Sequence, residues 1–178
     1  MKNSKKRIIE VIPYNIAWKE SFAKEALVLK SIFKTLIKDI QHIGSTAIPG
    51  MHAKPIIDIL VSVSDIRKID SFNKKMQVKG YIAKGEFGIA GRRFFIKENE
   101  IFRTHHIHIF QQENPEIKRH INFRDYLIKH KNSAKKYSKL KRELAWKYKN
   151  DIKAYIAGKD KFIKDIDRKA AILFKETR

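Results

Sequence analysis

The stretch HIGSTAIPGMHAKPIIDILV, residues 42 to 61, decides how the rest of the chain is read. Ile40 to Ile43 has the composition of a β segment, Gly44 permits a tight backbone turn, and Pro49-Gly50 punctuates the loop that follows. Pro55 to Val63 is rich in β-branched residues and too short for an ordinary helix, which predicts a central strand buried on both faces. Asp58 falls in the middle of that strand, where an unpaired charge is costly. A Gly-Ser turn after one strand and a carboxylate on the next suit a nucleotide. Backbone N–H groups of the turn and the Ser45 hydroxyl can cradle phosphate oxygens, and Lys54 can neutralise them. Asp58 can hold a hard divalent cation, Mg or Mn, against the same oxygens. The plainer reading of these residues is an ordinary turn, with Asp58 tied to a loop N–H or to an arginine.

Toward the N-terminus, Arg7 to Ile12 reads as a short β segment ended by Pro13. Asn15 then caps a helix running to about Lys38, whose stripe of Trp18, Phe22, Ala26, Leu29, Phe33 and Leu36 keeps to one side and reads as core. Toward the C-terminus, a helix from about Ser64 to Lys79 returns the chain to Gly80. Strands follow over Tyr81 to Ala83, Arg92 to Lys97 and Ile101 to Phe110, separated by Gly85, Gly88 and Gly91. Asn114-Pro115 is a cap and first-turn pair, and helices are expected over 115–130, 133–149 and 151–174. Tyr137, Leu140, Leu144 and Tyr148 share a face of the second. Ile152, Tyr155, Ile156, Phe162, Ile163, Ile166 and Leu173 share one of the third, and both stripes read as inward-facing. The expected fold class is α+β: a mixed sheet flanked by helices over 1–112, then a helical section over 113–178, in a single domain.

The length of 178 residues suits one domain with its own core. Without cysteine the chain has no disulfide, thiolate metal site or thiol nucleophile, so any metal must sit on oxygen or imidazole. No signal h-region precedes Pro13, and the apolar run at 56–63 is far short of the roughly 20 residues that span a bilayer. The expectation is a cytoplasmic protein without a membrane role. A formal charge of +21, from 40 Lys+Arg against 19 Asp+Glu, makes a field that draws phosphates, with more than half of the excess from Lys118 onward. Those residues take the polar positions of helices, which is either a solvated face or a surface for RNA. No aromatic residue outside the core pattern stands out as a stacking platform.

A second constellation lies in THHIHIF, 104–110. Strand alternation puts Thr104, His106, His108 and Phe110 on one face, and His105, Ile107 and Ile109 on the other. His106 and His108 with Asp58 from a neighbouring strand would form a two-His, one-carboxylate metal set; otherwise they are polar groups lining a cleft. Arg92, Arg93, Arg103 and Arg124 are candidate phosphate contacts, since guanidinium forks match phosphate oxygens. Arg124 with Asp125 is equally a helix-end ion pair. His52, His120 and His130 read as surface residues, and His42 adjoins the Gly-Ser turn.

The segment 42–61 resembles a motif of the GrpB family, and the likeness runs on in the same order through VIPYNIAW, GRRFF at 91–95, THHIHIF and FRDYL at 123–127. Tyr137, Leu140, Lys141, Leu144 and Ala145 continue it, as do Tyr155, Lys159 and Phe162, so that it covers about residues 8 to 165. The family is similar to a domain fused to dephospho-CoA kinase in some bacteria. The resemblance implies a fold like that of the DNA polymerase β-type nucleotidyltransferases, in which Gly-Ser opens a helix and a D-x-D pair on the next strand binds metal. Here Asp58 is the first acid of that pair, but residue 60, on the same strand face, is Leu. With one carboxylate a two-metal mechanism has too few oxygen ligands. The expectation is therefore a protein that binds a nucleotide or phosphorylated metabolite through Gly44, Ser45, Lys54, Arg93 and Arg124 over a reduced metal site. The alternative is an active nucleotidyltransferase moving a nucleotidyl group from an NTP to an acceptor, with Asp58 catalytic and the metal on Asp58, His106 and His108.

Overall fold

The computed structural model describes residues 8–99 and 102–175. Asn15 Oδ1 accepts the Ala17 N–H at 2.9 Å, and helix α1 follows over Ala17–Phe33. Trp18, Ala26, Leu29 and Phe33 of the expected stripe are buried, with Phe22 packed against them. The helix ends short of Lys38 because Lys34 turns to a φ of 50° while its N–H closes on the Lys30 carbonyl. A 3-10 turn, Lys34–Leu36, then hands the chain to strand β1, Ile37–Ile43. The segment expected as a strand before Pro13 is only a bridge: Ile12 and Ala53 exchange backbone hydrogen bonds at 2.9 and 3.0 Å. Arg7, its expected start, lies outside the described residues.

Strand β2 is Ile57–Val63. The single helix expected over 64–79 is instead a 3-10 stretch, Ile66–Phe72, followed by the short helix α2, Asn73–Val78. Asp65 caps the 3-10 stretch by accepting the Arg67 N–H, and the Ser71 hydroxyl donates back to the Lys68 carbonyl within it, a local bond that disfavours a regular helix. Strands β3 (Tyr81–Ala83), β4 (Arg92–Glu98) and β5 (Arg103–Gln111) follow. Ile101, the expected start of the last strand, is outside the described residues. Helix α3, Pro115–Lys129, starts where Asn114 accepts the Glu116 N–H, and only His130 separates it from α4, Lys131–Lys147. Asp151 caps α5, Ile152–Leu173.

The five strands form one mixed sheet in the order β1-β2-β5-β4-β3. β2 and β5 are parallel, and the other neighbouring pairs are antiparallel. Because side chains alternate, one face of the sheet gives Ile57, Ile59, Val61, Ile107 and Ile109 to the core under α1. The other gives Ile43, Leu60 and Phe110 to a cluster with Ile117 and Ile121 of α3. Behind that, Leu127, Tyr137 and Ile166 tie α3, α4 and α5 to Ile48 and Met51 of the β1–β2 loop. Ile152 and Ile156, read as inward-facing, are exposed, while Tyr155 between them is buried. This is an α+β fold in which the long β1–β2 loop is roofed by the C-terminal helices.

Gly44 adopts a φ of 71°, and a Cβ built there would lie 2.5 Å from Asp58 Oδ2. Gly50 has nearly the same φ, 75°, with nothing within 4 Å of its Cβ position. Both substitutions to alanine carry the left-handed backbone cost, but only Gly44→Ala also collides with the carboxylate. In urea unfolding, Gly50→Ala is expected to lose about 1 kcal/mol and Gly44→Ala about 1–3 kcal/mol more.

Candidate functional site

Parallel pairing of β2 with β5 sets Asp58 opposite His106 and Leu60 opposite His108. Asp58 Oδ1 is 3.0 Å from His106 Nδ1 and 3.6 Å from His108 Nε2. Burial would raise the Asp58 carboxyl, but the two imidazoles beside it outweigh that effect and hold it far below the usual carboxylate range. With Nδ1 donating to Asp58, His106 keeps its lone pair on Nε2, which is buried without a partner. His108 is oriented differently. Its Nδ1 lies 3.3 Å from Arg92 Nη1, and a guanidinium only donates, so Nδ1 accepts and Nε2 carries the proton facing Asp58. Burial lowers the His108 pKa, Asp58 opposes this, and Arg92 adds to it.

Arg92 is 5% exposed and anchored by the Glu86 and Phe87 carbonyls, with its guanidinium 4.6 Å from the Phe94 ring centroid. His120, read from sequence as a surface residue, packs 5.4 Å from the His108 ring, and burial lowers its pKa to about 4. One donor atom from each of Asp58, His106 and His108 lies within 4.8 Å of the others. A cation bound at about 2.0–2.2 Å from each ligand needs them within about 4.4 Å of one another, so the three are near that arrangement, and small side-chain shifts would complete it. A cation on His108 Nε2 would displace the proton to Nδ1 and break the Arg92 contact, so Arg92 opposes metal at this histidine.

Beside the triad lies a group of lysines, Lys141 buried and Lys54 and Lys159 half-buried. Lys141 is 2% exposed, and its Nζ donates to Ser45 Oγ at 2.7 Å. The Tyr137 hydroxyl lies close to Ser45. Lys54 and Lys159 lie 5.6 and 4.4 Å from the Tyr155 ring centroid. Burial pushes Lys141 down to about 7, with the Lys159 charge adding to it, and Lys159 down to about 8, with Lys54 adding. Burial lowers Lys54 as well, and Asp58 draws all three back toward the charged form. Among the described residues, no carboxylate makes an ion pair with any of them.

The residues singled out from sequence therefore divide. Gly44, Ser45, Lys54, Asp58, His106 and His108 come together. Arg93 does not: strand alternation sends it to the opposite face, where it pairs with Asp70 at 2.8 Å. Arg124 binds the His42 carbonyl at 2.9 Å, Gln41 Oε1 at 3.0 Å and Asp125 at 2.7 Å, clamping α3 to β1 rather than facing the turn. Arg103 lies 3.5 Å from Glu98, and His105 faces Glu25, which also holds Tyr81 and Lys97. Lys141 and Lys159 were not singled out as ligands. The signal was present, since Lys141 stands four residues after Tyr137 and four before Ala145 on the inward face of α4.

A family model described as GrpB protein matches residues 8–169. The chain belongs to the GrpB protein family. It is 37% identical over 160 residues to the glutamate-rich protein GrpB of Alkalihalophilus pseudofirmus, covering 88% of this chain and 92% of that one. It is 49% identical over 165 residues to the UPF0157 protein YqkA of Bacillus subtilis; 93% of this chain is covered, but it spans only about half, 48%, of YqkA. The crystal structure of the conserved protein GrpB from Enterococcus faecalis superposes with a TM-score of 0.89 at 43% identity, covering 93% of this chain and 99% of that one. A fainter likeness, TM-score 0.46 at 13% identity over 74% of this chain and 45% of that one, runs to the nucleotidyltransferase-like Cid1 poly(U) polymerase and is one of fold alone. No helix among the described residues is long and apolar enough to cross a membrane.

Titration calorimetry with Zn²⁺ or Mn²⁺ tests the triad. His106→Ala and Asp58→Ala are expected to weaken binding at least about tenfold, and Arg92→Met to strengthen it several-fold by releasing His108 Nδ1. Unchanged affinity in the first two variants would remove these residues from the metal's ligands.

Proposed function

We propose that the protein binds a phosphorylated small molecule, a nucleotide or phosphorylated metabolite, over the Gly44–Ser45 turn, beside one divalent cation on Asp58, His106 and His108. The observation that carries this reading is Lys141. A buried lysine that, among the described residues, hydrogen-bonds a serine hydroxyl and pairs with no carboxylate, with two more lysines close by, is a costly arrangement that an anion relieves. Ser45 and Lys141 would hold one phosphate, and Lys54 and Lys159 neighbouring oxygens. The cation would bridge the ligand to Asp58. Leu60 occupies the place of a second acid and is 1% exposed among Ile43, Phe110, Ile117 and Ile121. Binding and orientation by one metal fit this site better than the two-metal chemistry of nucleotidyl transfer.

The pKa directions fix the pH response. Lys141 and Lys159 must be charged to hold an anion, so affinity for pyrophosphate or ATP should be level below pH about 7 and fall by up to about tenfold per unit above pH 8. Stability runs the other way. The unfolded chain binds more protons between about pH 7 and 10.5, so these lysines destabilise the fold most below pH 7, and the penalty eases as pH rises. Lys141→Met is therefore expected to raise the unfolding free energy at pH 6.5 by about 1–3 kcal/mol and to weaken pyrophosphate binding by tenfold or more. Calorimetry and thermal melts on the same samples check both. Full pyrophosphate affinity in the stabilised variant would refute the reading.

A further inference from the structure

Helix α4 has two charged sides. Lys141 points inward to Ser45, while Lys131, Lys135, Lys139, Arg142 and Trp146 are all exposed. Steps of four, four, three and four residues return to nearly the same angle at 3.6 residues per turn, so these five form one line along the helix. Trp146 is 86% exposed, against 5% for the chain's other tryptophan, Trp18. It lies off the stripe that packs α4 and closes a shallow groove of about 500 Å³ with Lys139, Arg142, Glu143 and Lys147. The sequence pattern alone does not single it out as a stacking platform; its exposure does.

We infer that the outer face of α4 is a platform for single-stranded nucleic acid, with the Trp146 indole stacked on an unpaired base and Lys135, Lys139 and Arg142 on the backbone phosphates. The charge pattern supports that occupant. Apart from Glu143, the exposed charges of α4 are all positive, in a chain of formal charge +21. One open aromatic face among cations is the combination that binds single strands without sequence preference, whereas a duplex hides its base faces. A membrane surface would need a broad apolar stripe, and the apolar side of α4, with Tyr137 and Ala145, is committed to the core. The inference stands apart from the anion cleft, which lies on the other side of the helix.

Anisotropy titration of the full chain against a fluorescein-labelled RNA of about 15 nucleotides, single-stranded and as a duplex, tests this at two salt concentrations. Tighter binding of the single strand is expected, with affinity falling as salt rises. Trp146→Ala should weaken it about tenfold or more, and Trp146→Phe should keep most of it. Lys139→Ala with Arg142→Ala should flatten the salt slope by about 0.7 per cation removed. These positions are exposed, so melting temperature should stay constant. Equal affinity for duplex, or no loss in Trp146→Ala, would overturn the inference. So would Trp146-dependent binding to phosphatidylserine vesicles without RNA binding, or a Trp146-dependent dimer in sedimentation, each of which assigns the face to another occupant.

Discussion

A carboxylate in the middle of a central strand has to be compensated, and much of this fold can be traced to how Asp58 is. Its β5 neighbours are histidines rather than aliphatic residues, and the parallel register brings His106 directly opposite. The turn before β2 must pass within contact of the carboxylate, which only a residue without Cβ allows at that backbone angle. The C-terminal helices then bring lysines over the same charge. The residue types on three sides thus answer the negative side chain, which sits half-buried between the apolar clusters under α1 and α3.

On the proposed reading, helix α4 serves structure and recognition together. Tyr137 and Ala145 seat it against the loop and α5, and the position between them, which packing alone would fill with an aliphatic residue, holds Lys141. A free energy of about 5–15 kcal/mol for a domain leaves little room for such a group unless a ligand repays it. Arg92 resembles it in cost but not in kind. Its guanidinium is tied down by carbonyls and an aromatic ring, and its effect is to fix which nitrogen of His108 holds the proton.

The triad was legible from sequence because strand alternation is strict: once 55–63 and 104–110 read as strands, Asp58, His106 and His108 could be placed on matching faces. The arginines were less legible for the same reason. Arg93 carries suitable chemistry, but its odd position on β4 sends it to the other side of the sheet, and Arg124 reaches β1 through a packing angle no local pattern contains. Lys159 and Lys54 meet only because α5 crosses the β1–β2 loop, a contact about a hundred residues apart in sequence. The early end of α1 turns on a single backbone choice at Lys34, which averaged propensity does not register.

Leu60 has a historical consequence. A chain with this packing reaches a paired-acid strand only at a cost, because an acid at position 60 would be thrust among Ile43, Phe110, Ile117 and Ile121, with the Asp58 carboxylate on the same strand face and only His108 and Gln41 as polar cross-strand neighbours. Those side chains would have to change first, and each such change alone would loosen α3 from the sheet. Leucine at this position is thus held by the seating of α3 as much as by the chemistry of the cleft.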